Sequence, residues 1–266
     1  LVLAAETAIG KYPVGCVRMI RSFINRHDDY KSVPLDQHPW EQKSVGFSSS
    51  LIAPHGGRLI NEVSSNHNSQ DLRDMPRLDA DERQMLDIRQ IALGSFSPLD
   101  GFMTSETLSS VLAKKRLPNG VAWPMPVLFQ LPNEFQSSGS PRDAYIRGET
   151  VALQYQGEPA ALLTIEETFD FDLDQLALGW FGTISPDHPG VARLFESSPH
   201  FLAGKIQLLG EALNQRQPYE LTPAQARQVF EHRQWERVVG FHTRNVPHRA
   251  HEYLQFTALE EQHCDG

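Results

Sequence analysis

Short apolar runs broken by glycine and proline fill residues 51–209, and this punctuation limits the fold more than any other feature. Both residue types interrupt helices, so this stretch cannot form a bundle of long helices. Apolar runs of strand length alternate here with a few segments of helical spacing. The pattern predicts an α+β domain, within the α/β class, centred on a small twisted β-barrel.

Individual elements follow from the same pattern. Helices are predicted at residues 86–93 and 105–114, the second beginning at a cap formed by Thr104 or Ser105, with Glu106 in its first turn. Residues 94–103 read as a tight, aromatic-rich turn, and residues 156–159 as a hairpin turn. Strands are predicted at residues 123–131, 150–155 and 160–166.

The C-terminal part has a simpler order. Thr222 caps a predicted helix that has Pro223 at its first position and runs to about residue 233. A strand at residues 237–241, a loop at 242–247 and a helix at 248–262 are predicted to follow. Strand, loop and helix together make half of a Rossmann-like nucleotide-binding unit.

Composition and charge exclude several classes of protein. Hydrophobic residues make up 40% of the 266-residue chain, and no stretch approaches the roughly 20 consecutive apolar residues of a membrane helix. Cys16 and Cys264 lack metal-ligand spacing, which favours the cytoplasm over an oxidising compartment. A net charge of −9 without a long basic run argues against nucleic-acid binding.

One window departs from this acidic average. Residues 227–251 contain five arginines against two glutamates, together with four of the eleven histidines. Such a cationic patch on an acidic protein suits small anions. For residues 227–237 alone, a solvated helix face is the simpler interpretation.

The junction of the last predicted strand and helix combines several anion-binding groups. Helix N-termini carry unpaired N–H groups and about half a positive charge, and Pro247 is predicted to lie in the first turn. His248 and His251 are three residues apart and project from one face. Arg244 and Asn245 lie just ahead. These groups suit nucleotidyl transfer by positioning and charge stabilisation.

Two alternative interpretations remain for the histidine pair. H-x-x-H spacing could form half of a zinc site, although the H-E-x-x-H pattern of helical zinc proteases is absent. Alternatively, His248 and His251 could simply cap the helix and pack. No metal ligand is predicted.

The residues GFHTRNVPHRAHEYL at positions 240–254 closely resemble the active-site signature of the ATP sulfurylase (sulfate adenylyltransferase) family. Its usual form is GFQTRN followed by HRAHE or HRGHE. Further segments resemble the family in its own order, so that the likeness covers about residues 48–266. They are LIAPHGGRL (51–59), GSFSPLDGFM (94–103), LPNGVAWPMPV (117–127), GTISPDHPGVARL (182–194), LAGKIQLL (202–209) and YELTPAQARQVF (219–230).

The resemblance implies a PUA-like N-terminal domain and transfer of the adenylyl group of MgATP to sulfate, giving adenylyl sulfate and pyrophosphate, or the reverse. It implies that Thr243, Arg244 and Asn245 form the catalytic loop, and that Arg244 with His242 binds sulfate. Asn245, His248 and His251 would bind ATP. A homo-oligomer is expected for the full-length protein.

Two departures from the family pattern matter. His242 replaces the common glutamine, so the sulfate contact would depend on an imidazole. A second family loop of the form GRDHAGVG does not follow within the sequence. The chain therefore reads as a truncated piece, and we expect it to have little or no turnover alone. Detectable adenylyl sulfate formation by the purified chain would contradict this expectation.

The first residues carry a different resemblance. AAETAIGKYPVGCVRMI (4–20) is similar to the segment that ends the barrel domain of pyruvate kinase. The expected organisation is a pyruvate kinase-like stub, a linker, the PUA-like domain and a partial nucleotidyltransferase domain, from a fusion of the two enzymes. Their ranges are 1–26, 27–50, 51–218 and 219–266.

Two other functions remain open. The protein could be another adenylyltransferase of the H-x-x-H superfamily, acting on a carboxylate or a phosphate. It could also be a non-catalytic PUA-like binding or assembly module.

Overall fold

A computed structural model of the chain describes residues 51–64, 72, 75–133, 145–210 and 220–266. The chain divides into two compact units, residues 53–215 and residues 1–52 with 216–266. The predicted pyruvate kinase-like stub at 1–26 and the linker at 27–50 lie outside the described residues.

Seven strands among the described residues form one sheet in the first unit. They are β1 (Val63–Ser64), β2 (Arg77–Asp79), β3 (Gly101–Phe102), β4 (Phe129–Gln130), β5 (Thr150–Tyr155), β6 (Glu158–Asp170) and β7 (His200–Leu209). Pairing runs in the order β1, β7, β6, β5, β2, and both β3 and β4 also pair with β7. β1 with β7 and β2 with β5 are parallel, and the other pairs are antiparallel. The predicted mixed α/β class is confirmed.

β7 is the central strand of this sheet. One of its edges pairs with β6 from His200 to Leu208. The other edge is covered in turn by β4, β3 and β1, each two residues long. Residues 201–204 are all buried. This strand therefore lacks the alternation of apolar and polar residues that identifies a half-exposed strand in a sequence. For that reason β7 is absent from the sequence predictions.

The β5–β6 hairpin turns where the sequence predicts it. Gln156 and Gly157 form a two-residue loop with φ of 56° and 85°, and two positive φ values match the twist of the flanking strands. Glu158 and Pro159 already belong to β6, which has 13 residues and extends well beyond the predicted 160–166. By contrast, the strand predicted at 123–131 is reduced to β4. The rest of residues 123–131 cannot form backbone hydrogen bonds with the next part of the β7 edge, because β3 already pairs there.

Six α-helices lie within the described residues. They are α1 (Glu82–Ala92), α2 (Ser105–Lys114), α3 (Leu173–Phe181), α4 (Pro189–Phe195), α5 (Pro223–His232) and α6 (Arg249–Glu261). None of these helices combines the length and the apolar content that crossing a bilayer requires.

Side-chain caps determine where several helices start. The predicted caps Thr104 and Thr222 are confirmed, and they accept the N–H groups of Thr107 and Gln225 at 3.3 and 3.1 Å. α1 begins four residues before the predicted residue 86, because Asp81 and Gln84 cap each other's backbone N–H groups. Apolar periodicity alone misses this polar first turn.

Two apolar clusters hold the first unit together. One packs α1 against the sheet through residues such as Ile88, Ile91 and Leu163, all fully buried. The other surrounds Phe169 and Phe201, whose rings stack 5.4 Å apart, and includes residues of α2, α3 and α4. Burial of each large side chain stabilises the fold by about 1.5–3 kcal/mol.

Residues 220–266 carry α5, α6 and the segment between them, and none of these residues is buried. The strand predicted at 237–241 is wrong, because this segment has no regular secondary structure. A strand requires a ladder of backbone hydrogen bonds. Among the described residues, this segment forms two such bonds, from the N–H of Val239 to the carbonyl of Gly266 and from the N–H of Asp265 to the carbonyl of Arg237, both at 2.8 Å.

Candidate functional site

The start of α6 is capped by two histidines. His248 is the N-cap residue, and its Nδ1 accepts the N–H of Ala250 at 3.3 Å. In return, Nδ1 of His251 accepts the backbone N–H of His248 at 3.2 Å. Two imidazoles thus perform the reciprocal capping that Ser or Thr and Glu usually perform. Pro247 precedes the cap, so its predicted position in the first turn is wrong, because His248 has extended backbone angles.

The two capping rings lie against each other. Their centroids are 4.0 Å apart with an interplanar angle of 38°. The Phe241 ring makes an edge contact with the His251 ring, with centroids 5.6 Å apart and an interplanar angle of 65°. Phe241 is a site residue that sequence reasoning missed, although it stands inside the signature, because only tertiary proximity reveals the contact.

The loop ahead of α6 carries the remaining predicted residues. The Thr243 hydroxyl accepts the N–H of Asn245 at 3.1 Å and lies 3.4 Å from its carbonyl oxygen. This local turn bends the chain around Arg244. His242, Arg244 and Asn245 are exposed. Within the described part of the chain, their side chains form no hydrogen bond or ion pair.

Positive charge dominates the exposed surface of this junction. Arg244 and Arg249 are both exposed, and the helix N-terminus adds about half a positive charge. Glu252 in the first turn is the acidic residue that offsets part of it. The guanidinium of Arg244, which forms no ion pair among the described residues, lies in the loop just before the capped helix start and is suited to binding a tetrahedral oxyanion.

The segment that leads into the loop is anchored by a carboxylate near the end of the chain. Asp265 accepts the backbone N–H groups of Glu236 and Arg237 at 2.8 and 2.9 Å. The bonds from Arg237 and Glu236 lower the pKa of Asp265. Sequence reasoning also missed this residue, since no local pattern joins positions 29 residues apart.

The sequence left open whether the histidine pair belongs to a zinc site. Among the described residues, no three His, Cys, Asp or Glu side chains are grouped closely enough to hold a metal ion. Both Nδ1 atoms are engaged by backbone N–H groups. The structure therefore shows helix capping, the second alternative, and among the described residues the opposite ring nitrogens, Nε2 of His248 and His251, form no hydrogen bond.

Three signature-like segments of the first unit, at residues 51–59, 94–103 and 117–127, pack against each other. The His55 ring lies 6.3 Å from the Trp123 ring and hydrogen bonds to the Ala122 carbonyl at 2.8 Å. Phe96 contacts Trp123 edge-on at 6.1 Å. At Gly56, an added Cβ would lie 2.5 Å from Pro98, so glycine permits this close approach. These motifs therefore have a structural role.

Comparison with protein-family models divides the chain in two parts. A family described as PUA-like domain matches residues 52–211, and one described as ATP-sulfurylase matches residues 217–265. The chain belongs to the PUA-like family. The ATP-sulfurylase match, at residues 217–265, contains every residue of the candidate site. Both matches begin after residue 51, so they give the pyruvate kinase interpretation of residues 1–26 no support.

Curated relatives share the name sulfate adenylyltransferase. The chain is 40% identical to one from Synechococcus sp. (strain JA-3-3Ab) over 224 residues and 35% identical to one from Aeropyrum pernix over 210 residues. The alignments cover 80% and 77% of this chain and 54% of each relative. The chain thus spans about half the length of these relatives.

A solved structure shares the fold. The hexameric APS kinase from Thiobacillus denitrificans superposes with a TM-score of 0.58 at 25% identity. The match covers 80% of this chain and 38% of that one. The PUA-like chain therefore shares its architecture with part of a larger enzyme.

Proposed function

We propose that the protein to which this chain corresponds is a sulfate adenylyltransferase. In this reaction a sulfate oxygen attacks the α-phosphorus of ATP. A new S–O–P linkage forms, the bond from that phosphorus to the bridging oxygen breaks, and pyrophosphate leaves with the electron pair. Magnesium enters as part of the MgATP substrate. The reverse reaction uses the same site.

One observation carries the proposal. Within the ATP-sulfurylase match, the exposed Arg244 precedes a helix N-terminus that is capped by His248 and His251. Sulfate and triphosphate repel each other, so a transferase must supply positive charge where the two meet. Relatives of this name at 33–40% identity support the assignment.

Each predicted residue receives a role in this proposal. Arg244 binds sulfate as a fork of N–H donors, and His242 adds a donor where the family commonly has glutamine. Thr243 shapes the turn through its bond to Asn245. Asn245, His248 and His251 hold the phosphates of ATP and stabilise the charge on departing pyrophosphate. A cytoplasmic homo-oligomer is part of the same proposal, supported by a structural neighbour that is a hexamer.

The Arg244 role can be tested by binding. We expect Arg244→Ala to weaken sulfate binding about 10-fold to 100-fold, because a charged hydrogen-bonding group contributes about 1.5–3 kcal/mol. Calorimetric titration of the chain with sulfate in the presence of a non-hydrolysable ATP analogue measures the loss. Arg147→Ala is the matched control, since Arg147 is exposed and belongs to the other unit. Equal sulfate affinity in both variants would remove Arg244 from the proposal.

The choice of acceptor separates sulfate adenylylation from its rivals. Titration of the ATP analogue should give tighter binding with sulfate present than with phosphate or acetate. Preference for acetate or phosphate would favour another adenylyltransferase. No nucleotide binding under any condition would favour the binding-module alternative.

A further inference from the structure

The two histidines of the α6 cap each use the ring nitrogen Nδ1 to accept a backbone N–H. Nδ1 of His248 accepts from Ala250, and Nδ1 of His251 accepts from His248. An uncharged imidazole has one N–H and one acceptor nitrogen. A nitrogen that accepts a backbone N–H cannot carry the ring proton itself.

We infer that the cap fixes both His248 and His251 in the Nε2–H tautomer, so that the site presents two neutral ring N–H donors to the phosphates of a nucleoside triphosphate. This inference rests on the proposed function for its ligand. The tautomer itself follows from the capping bonds alone.

The same geometry directs the second ring nitrogen of each histidine outward. Nδ1 and Nε2 lie on opposite sides of an imidazole, so a ring whose Nδ1 faces the backbone points its Nε2 away from the first turn of α6. A proton on either Nδ1 would break a capping bond.

The contact with Phe241 completes the orientation. Its edge lies against the His251 ring, which restricts rotation of that ring about its Cβ–Cγ bond. Phe241 is a positioning residue in this arrangement. Two oriented donors in the same first turn suit neighbouring phosphate oxygens, because the entropy cost of ordering the rings is already met when the helix forms.

Substitution can separate the cap from the donor. Asparagine places its Oδ1 close to the position of Nδ1 but has nothing at the ε position, whereas glutamine reaches the ε position with an N–H. We expect His248→Asn to retain protection of the Ala250 amide from hydrogen exchange while ATP affinity falls about tenfold. His248→Gln should lose Ala250 protection and keep most of the ATP affinity.

A matched capping histidine lies outside the site. Nδ1 of His188 accepts the N–H of Gly190 at 3.1 Å at the start of α4. His188→Asn should therefore leave ATP affinity unchanged. Amide protection in β7 reports in every variant whether the first unit remains folded.

The tautomer can be read directly. Long-range ¹H–¹⁵N spectra of the histidine-labelled chain should show Nε2–H and unprotonated Nδ1 for both residues, with assignments from His248→Asn and His251→Asn. A ring with Nδ1–H would overturn the inference, as would a His248→Asn variant that binds ATP as tightly as the original chain. Absence of ATP binding by the original chain, with both rings Nε2–H, would count against the proposed function and against the phosphate role.

Discussion

Asp87 is the residue whose environment most changes its chemistry. It lies in α1, half-buried between the buried residues Met85 and Ile88. Burial raises its pKa from 3.8 to about 6, and the charge of Asp81 adds to the effect. Between about pH 4 and pH 6 the folded chain binds a proton that the unfolded chain has released. The stability of the fold therefore decreases as pH rises through this window.

Asp87→Asn should remove this penalty. For a fully buried group it would be about 3 kcal/mol, and partial exposure reduces it to about 1 kcal/mol. Urea unfolding should give a free energy about 1 kcal/mol higher than that of the original chain at pH 7 and the same value at pH 4. Asp79→Asn, at an exposed position of β2, is the control. An equal gain at both pH values would show that the carboxyl charge is not responsible.

At the scale of elements, β7 depends on close backbone contacts. Gly101 of β3 pairs with Lys205 of β7, and the next residue, Phe102, pairs with Gly204. A Cβ on Gly101 would lie 1.9 Å from the Gly204 carbonyl oxygen, and one on Gly204 would lie 2.0 Å from the Thr164 carbonyl oxygen. Glycine is thus required where three strands meet.

Gly101→Ala should destabilise the first unit by about 3 kcal/mol, because the obstructing atoms are backbone and cannot rotate aside. Thermal unfolding followed by circular dichroism measures the change. Gly240→Ala is a control, since a Cβ there meets no atom within 4 Å. A loss below about 0.5 kcal/mol for Gly101→Ala would mean that β3 can move away from β7 at little cost.

At the scale of the whole molecule, the two units differ in how much they bury. The buried residues of the described chain all lie between Ile60 and Leu209, whereas residues 220–266 contribute none. Helices without a buried face gain little from tertiary packing, and isolated helices of their length are marginal in water. α5 and α6 have 10 and 13 residues.

Hydrogen exchange should therefore separate the units. Amides of β6 and β7 should exchange at least about 100-fold more slowly than amides within α5 and α6, because local opening costs less free energy where few apolar contacts are lost. Exchange followed by mass spectrometry on peptides from each region measures the ratio. Similar protection in both regions would show that α5 and α6 open together with the sheet.

The success of the sequence predictions follows the range of the interactions. Thr104, Thr222 and the turn at Gln156 depend on bonds within about four residues, and all three were predicted correctly. The strand predicted at residues 237–241 is absent. A strand needs a partner strand, and an apolar pattern in one segment does not show whether a partner is present. β7 was missed because its apolar run is buried on both sides.

For the candidate site, the sequence by itself determined which residues come together at the start of α6. His248 and His251 are three residues apart at the start of one helix, so helical geometry alone makes them neighbours, and Arg244 lies in the loop just before that helix. Tertiary structure decided that Phe241 contacts His251, that Asp265 holds the entering segment and that β7 is central. These are contacts between residues far apart in the chain or in separate elements, and only folding brings such residues together.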